Sequence, residues 1–342
     1  MRKLVLIALL LVFIFGCIDG QPKPPDEHGN ETGNKTNITV IIDEEKNESV
    51  AVNVTEEEEG NETEVWQGIS YANETDANLG VYFFDVCDYG TGEHAAAIFL
   101  KKGDLDILID AGSVASGGRV VDELKRRNID DIDVLVSTAA DQRRYGGLSR
   151  VLDEFQVEEF WWGGDDFSDS AYEAVITKAT ARAKNVRVAE RGYDVLLNGI
   201  DVEVLNPKTS NRFGDVNNDA IVLRMEDRNL TLLLMGNIQT GAQGDLVNNF
   251  GDEIKVKVIE APYYGVGGGT AMIALFLQAS KPQYAVIEGC SDETQEVEGS
   301  TRSPFRRLME QDQYRIGYLE TYKNGTIKIT VDNLGYDIRP VE

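Results

Sequence analysis

Any chemistry this chain does has to be built almost without histidine. Among 342 residues there are two, His28 and His94. Imidazole-rich zinc centres need more than that, and a serine triad lacks its base. What the sequence concentrates instead is Asp141-Gln142-Arg143-Arg144-Tyr145, with two guanidiniums close behind a carboxylate. An arginine fork can hold a carboxylate or phosphate of a ligand, or it can pair with its own aspartate. The glycine-rich stretch 265–270 precedes a helical pattern, as anion-binding loops do. It has neither a lysine nor a dinucleotide fingerprint, so it reads as a connector. Trp161-Trp162 has rings that could stack on a sugar, though burial at a strand end is the simpler use.

These residues need a frame. Strand-like apolar runs fall at 81–86, 95–100, 105–109, 132–137, 157–161, 186–188, 202–205, 220–225, 230–235, 255–260 and 284–288. Helical spacing recurs at 120–127, 146–155, 239–249, 271–279 and 304–311. The tetrad 226–229 marks a hairpin. Segments 314–321 and 326–331 read as a closing hairpin around Asn324-Gly325. The alternation is mixed α/β and suits two sheets covered by helices on their outer faces.

The N-terminal part is of another kind. Arg2-Lys3 leads an apolar run over 4–15, too short to cross a bilayer comfortably. This is a secretory signal pattern. Its end, Gly16-Cys17, resembles a lipoprotein box, so residues 1–17 predict export and lipidation at Cys17, leaving the chain anchored on the outer face of a membrane. Residues 18–78 read as a disordered acidic stalk; 21–75 hold 3 basic and 14 acidic side chains. A short strand at 50–54 is the one exception. Sequons fall at Asn30, Asn34, Asn37, Asn47, Asn53, Asn61 and Asn73, with two more at Asn229 and Asn324. That density predicts a glycosylated stalk. The net charge of −26 disfavours nucleic acid as a partner.

From residue 79 to 342 the motifs point to one family. Residues 81–86, followed by a Gly/Asp-rich loop and 95–98, resemble an opening of the form F-x-D-V-G-Q-G-D-A. Leu108-Ile109-Asp110-Ala111-Gly112 matches L-I-D-A-G. Residues 133–138 and 145–148 flank the place of T-H-x-D-x-D-H-x-G-G-L. Residues 204–207, 217–224 and 234–238 follow in family order, and Pro262-Tyr263-Tyr264-Gly265 falls where P-H-H-G belongs. Together they resemble the metallo-β-lactamase fold, a four-layer αββα sandwich, in the branch similar to the extracellular domain of competence DNA-uptake channels.

The resemblance implies two metals held by histidines and carboxylates that activate a water. Here Ala139 stands at the first His, Arg143 at an Asp, Arg144 at the last His, Asn237 at the bridging Asp, and Tyr263-Tyr264 at the His pair. Asp141 is retained, and 294–303 has no histidine where a G-H-P signal would fall. No zinc and no other cofactor is therefore expected. Asp141, Arg143, Arg144, Asn237, Tyr263 and Tyr264 become candidates for a vestigial cleft. It either binds a small anion, glycan or protein ligand or is filled by its own side chains. The same resemblance brings the loop bearing Cys87 near the strand exit bearing Cys290, which implies a disulfide. The function expected is a non-catalytic binding or envelope-structural surface protein. The alternatives are a phosphoesterase- or nuclease-like hydrolase and an accessory to DNA uptake.

Overall fold

The structure, a computed structural model, describes residues 37–41, 51–55, 69, 71–165, 169–265, 274–290 and 304–341. The signal with Cys17, the sequons at Asn30, Asn34, Asn47 and Asn61, and loop 294–303 lie outside them. In the stalk tract, strand β1 (Asn37–Ile41) pairs antiparallel with β2 (Ala51–Thr55), where a strand at 50–54 was expected. Packing against the domain begins by Ile69, which is buried. The Asn198 amide donates to Tyr71 Oη (2.9 Å) and the Glu74 amide to Asn198 Oδ1 (2.8 Å).

Two large sheets follow. In chain order the first takes β3 (Leu79–Phe83), β4 (Ile98–Lys102), β5 (Leu105–Ile109), β6 (Ile132–Ser137), β7 (Val157–Trp162) and β8 (Ala183–Val188). The second takes β9 (Asp194–Leu197), β10 (Ile200–Asn206), β11 (Val222–Asp227), β12 (Leu230–Leu234), β13 (Val258–Glu260), β14 (Tyr284–Ile287) and β15 (Gly317–Glu320). The chain then returns to the first sheet with β16 (Ile327–Val331) and β17 (Tyr336–Pro340). The eight-stranded order is β17-β16-β3-β4-β5-β6-β7-β8, and the seven-stranded order is β15-β14-β13-β12-β11-β10-β9. In both, one half is antiparallel and the other parallel: β5 to β8 in the first, β12 to β15 in the second.

The two-residue period of the strands decides what goes where. Val81, Phe83, Ile107, Ile109, Val134 and Val136 meet Val202, Val204, Leu232, Leu234, Val258 and Val286 between the sheets. The alternate residues Leu108, Leu135 and Phe160 pack under α1 (Gly117–Arg126), α3 (Leu148–Glu154) and α4 (Ser170–Arg182). On the other side Leu233, Ile259 and Ala285 pack under α5 (Thr240–Phe250), α6 (Ala274–Ser280) and α7 (Pro304–Met309). Strands buried on both faces read as continuous apolar runs, which is why they were visible in sequence. The result is the four-layer αββα sandwich. Among the described residues no helix is long and apolar enough to cross a membrane.

One expectation fails. Segments 314–321 and 326–331 do not form a hairpin. β15 lies parallel to β14 in one sheet, while β16 lies antiparallel to β3 in the other. The chain crosses through α8 (Thr321–Asn324), where Asn324 Oδ1 accepts the Glu320 amide at 3.0 Å and Gly325 takes a positive φ of 70°. The Asn-Gly pair therefore ends a helical turn. Glu320, buried and paired with Arg306, holds that crossing in place.

A guanidinium at the strand ends

Three acids each follow an isoleucine at the carboxyl end of a parallel strand: Asp110 after β5, Glu260 as the last residue of β13, and Glu288 after β14. The ends of β6 and β12 lead into Thr138 and into Gly236-Asn237. In open α/β sheets the carboxyl ends of parallel strands are where ligands bind. Asp110 has a positive φ of 59° and is held by the Thr138 amide (2.8 Å) and hydroxyl (2.6 Å). Glu260 Oε2 accepts the Met235 (2.8 Å) and Gly236 (3.0 Å) amides, which fixes its other oxygen toward the cluster.

Into this ring the short helix α2 (Gln142–Tyr145) inserts Arg144, whose side chain is 0% exposed. Nε donates to Asn237 Oδ1 (2.5 Å), Nη1 to Asp110 Oδ2 (2.8 Å), and Nη2 to Glu260 Oε1 (2.8 Å) and the Gly236 carbonyl (3.0 Å). Its planar fork thus meets acceptors from both sheets. Burial works against the charge, but Glu260 and Asp110 hold the guanidinium protonated well above its ordinary range. Glu288 is different. Burial first, and Glu260 next, push its carboxyl well above the usual range. Its Oε1 accepts the Ala97 amide at 3.0 Å.

A second pair closes the cluster from outside. Asp141 caps α2 by accepting the Arg143 amide (3.0 Å), and Arg143 grips the same carboxylate through Nε (2.9 Å) and Nη2 (2.7 Å). Burial alone would raise Asp141. The Arg143 hydrogen bonds and charge, with the Asn237 amide, hold it below the usual range. Asn237 explains itself: Oδ1 accepts from Arg144 while Nδ2 donates to Asp141 Oδ2 (2.6 Å). An aspartate could do only the first.

Arg143 lies over the rings of Tyr263 (5.1 Å) and Tyr264 (4.7 Å), and Tyr264 also faces the Arg144 guanidinium at 5.1 Å. Both tyrosines take left-handed backbone, φ 50° and 59°. Such strain persists only where surrounding contacts over-determine it; here Tyr264 is fully buried over the ion pairs. His94 stacks on Tyr264 at 5.7 Å and accepts the Cys290 amide at Nδ1 (2.8 Å). Burial, with the charges of Arg143 and Arg306, pushes its imidazole down to about 4. Cys290 is disulfide-bonded to Cys87, with Cα atoms 5.2 Å apart.

The six candidates Asp141, Arg143, Arg144, Asn237, Tyr263 and Tyr264 therefore come together. They do not form an open cleft: Arg144 is wholly enclosed, and Arg143 keeps 24% exposure beside Tyr263. Sequence reasoning did not single out Asp110, Glu260, Glu288 or His94 as members. The recurrent isoleucine–acid step at a strand end was the available signal for the first three. Trp161 is buried and packs edge-on against Tyr193. Of the described sequons, Asn73 and Asn229 are exposed, while Asn324 is half-buried. Among the described residues no group of three or more His, Cys, Asp or Glu is arranged to hold a metal ion. The donor set does not fit one: the acids that face the centre already converge on a permanent cation.

No family model matches the chain. It is 24% identical over 211 residues to ComE operon protein 3 of Bacillus subtilis and 25% identical over 202 residues to competence protein ComA of Neisseria gonorrhoeae. These matches take in 61% and 59% of this chain and 26% of each relative, so the chain spans about a quarter of their length. Similar solved structures include the metallo-β-lactamase fold protein YhfI of Bacillus subtilis, at 11% identity and TM-score 0.47 over 71% of this chain and 96% of that one. Another is a metal-dependent hydrolase of the β-lactamase superfamily, at 12% identity and TM-score 0.45 over 72% and 98%. The layers, the sheet order and the competence-protein matches agree with the motif reading: the chain resembles the metallo-β-lactamase fold of the competence-protein branch.

Proposed function

We propose that this is a lipid-anchored surface protein whose metallo-β-lactamase-like domain serves binding or envelope structure without hydrolysis. The observation that supports this reading is Arg144. Its guanidinium consumes Asp110 and Glu260 and stands at a position where the family resemblance expects a metal ligand. A hydrolytic centre of that kind would need a set of metal ligands and an open coordination position, and a guanidinium at a ligand position supplies neither. The partly exposed Arg143–Tyr263 face is the part of the site left for an anion, glycan or peptide terminus. The test is paired. Purified domain with added zinc or manganese is offered phosphodiester and nucleic-acid substrates, and no turnover above blank is expected. Cleavage that tracks the protein through purification would overturn the reading. For the anchor, Cys17→Ser should release the protein from the membrane fraction; unchanged membrane association would count against lipidation.

A second reading, an accessory role in DNA uptake, is favoured by the similarity to competence proteins. The acidic charge of the chain opposes it. Salt-dependent DNA binding by the domain would favour this second reading over the first.

A further inference from the structure

We propose that the Arg144 guanidinium is the resident cation of this scaffold, holding the two sheets together at the strand ends in place of a bound metal. The inference rests on the non-hydrolytic reading of the same site and goes beyond it, because it says what keeps the site closed. Three features carry it. The acceptors of Arg144 come from separate elements: Asp110 from the end of β5 in one sheet, Glu260 from β13 and Gly236-Asn237 after β12 in the other. Four directed hydrogen bonds reach one planar group that is wholly buried, a geometry that a lysine ammonium cannot reproduce. The surrounding acids are fixed from behind by Thr138, Met235, Gly236 and Ala97 amides. They would therefore stay pointed at the centre if the arginine were removed.

Removing Arg144 should leave a carboxylate-lined vacancy that a soluble cation can enter. The experiment follows thermal unfolding of the wild type, Arg144→Lys and Arg144→Ala. Each is measured alone, with a chelator, with millimolar methylguanidinium and with millimolar manganese. The wild-type midpoint should not move with chelator or with either cation. Both variants should melt lower by roughly 5–15 °C. Arg144→Ala should recover part of that loss with methylguanidinium or manganese, as a ligand binding only the folded state requires. If Arg144→Ala fails to fold, the double variant Arg144→Gln Glu260→Gln is measured in its place. It should fold without responding to either cation. Wild type destabilised by chelator, Arg144→Ala melting like wild type, an Arg144→Ala midpoint that is lowered and that neither cation moves, or a double variant whose midpoint either cation raises would each overturn the proposal. Hydrolysis by wild type with the expected melting pattern would sink the functional reading alone.

Discussion

At the scale of single residues the site is an exercise in charge balance. Asn237 is the clearest case, accepting from Arg144 and donating to Asp141. Asn237→Asp would keep the first bond and set two carboxylates against each other, a loss on the order of 2 kcal/mol read by denaturant unfolding. His94 offers a cleaner reading. Its folded imidazole is neutral down to about 4, whereas in the unfolded chain it takes a proton near the ordinary value of about 6.5. The unfolded state therefore binds more protons between those limits. Stability from His94 is present above that window and is lost as the pH falls through it. Proton NMR can follow this: the His94 ring signals should stay unmoved until about pH 4. A His94 midpoint near the ordinary imidazole value would contradict the buried placement.

At the scale of elements, the close crossing of α1 and α3 depends on glycine. A Cβ on Gly147 would stand 2.0 Å from the Ala111 carbonyl and 2.8 Å from Gly117 Cα. Because backbone lies on both sides, a side chain at this position would force the two helices apart. At the opposite ends of the same strands, β5 and β6 hold Asp106 and Asp133, where the Asp106 amide donates to Asp133 Oδ2 at 2.7 Å. Burial pushes their carboxyls up to about 7 and about 8, against the pull of Lys101 on Asp106 and of the Asp106 amide on Asp133. The folded state thus binds more protons between about pH 4 and pH 8. Stability from this pair is complete below that window and falls as pH rises through it. In denaturant unfolding at a series of pH values, Asp133→Asn should flatten the decline, gaining on the order of 2 kcal/mol at pH 8 relative to pH 5.

Elements were legible in sequence where burial on both faces made continuous apolar runs, as in β5, β6 and β12. They were hidden where the pattern was weak. α4 is built largely from small and polar residues, and its start is set by Asp169 accepting the Ala171 and Tyr172 amides. The Asn324-Gly325 step misled because the same two residues serve a hairpin turn or a helix end. The site shows the same division. Losses of histidine and aspartate could be read position by position. The answer to them, a guanidinium between strand-end acids, depends on contacts between residues as far apart as Asp110 and Glu260.

For the whole molecule, two cross-links lie near the strand ends. One is the Arg144 network; the other is the Cys87–Cys290 bridge, which closes a loop of 203 residues beside His94. Cutting the bridge by Cys87→Ala Cys290→Ala should lower stability by about 3 kcal/mol through the freed unfolded chain, without opening the Arg144 core. Calorimetry of the variant beside the wild type, the latter with and without reductant, checks this. The cation proposed for the middle of this fold is the Arg144 side chain and not a metal. Elemental analysis of the folded domain, after equilibration with excess zinc and removal of unbound ion, tests it most directly. Zinc should stay far below one atom per chain, with an unfolding midpoint the same before and after. Zinc near one or two atoms per chain, lost together with stability on chelation, would contradict it.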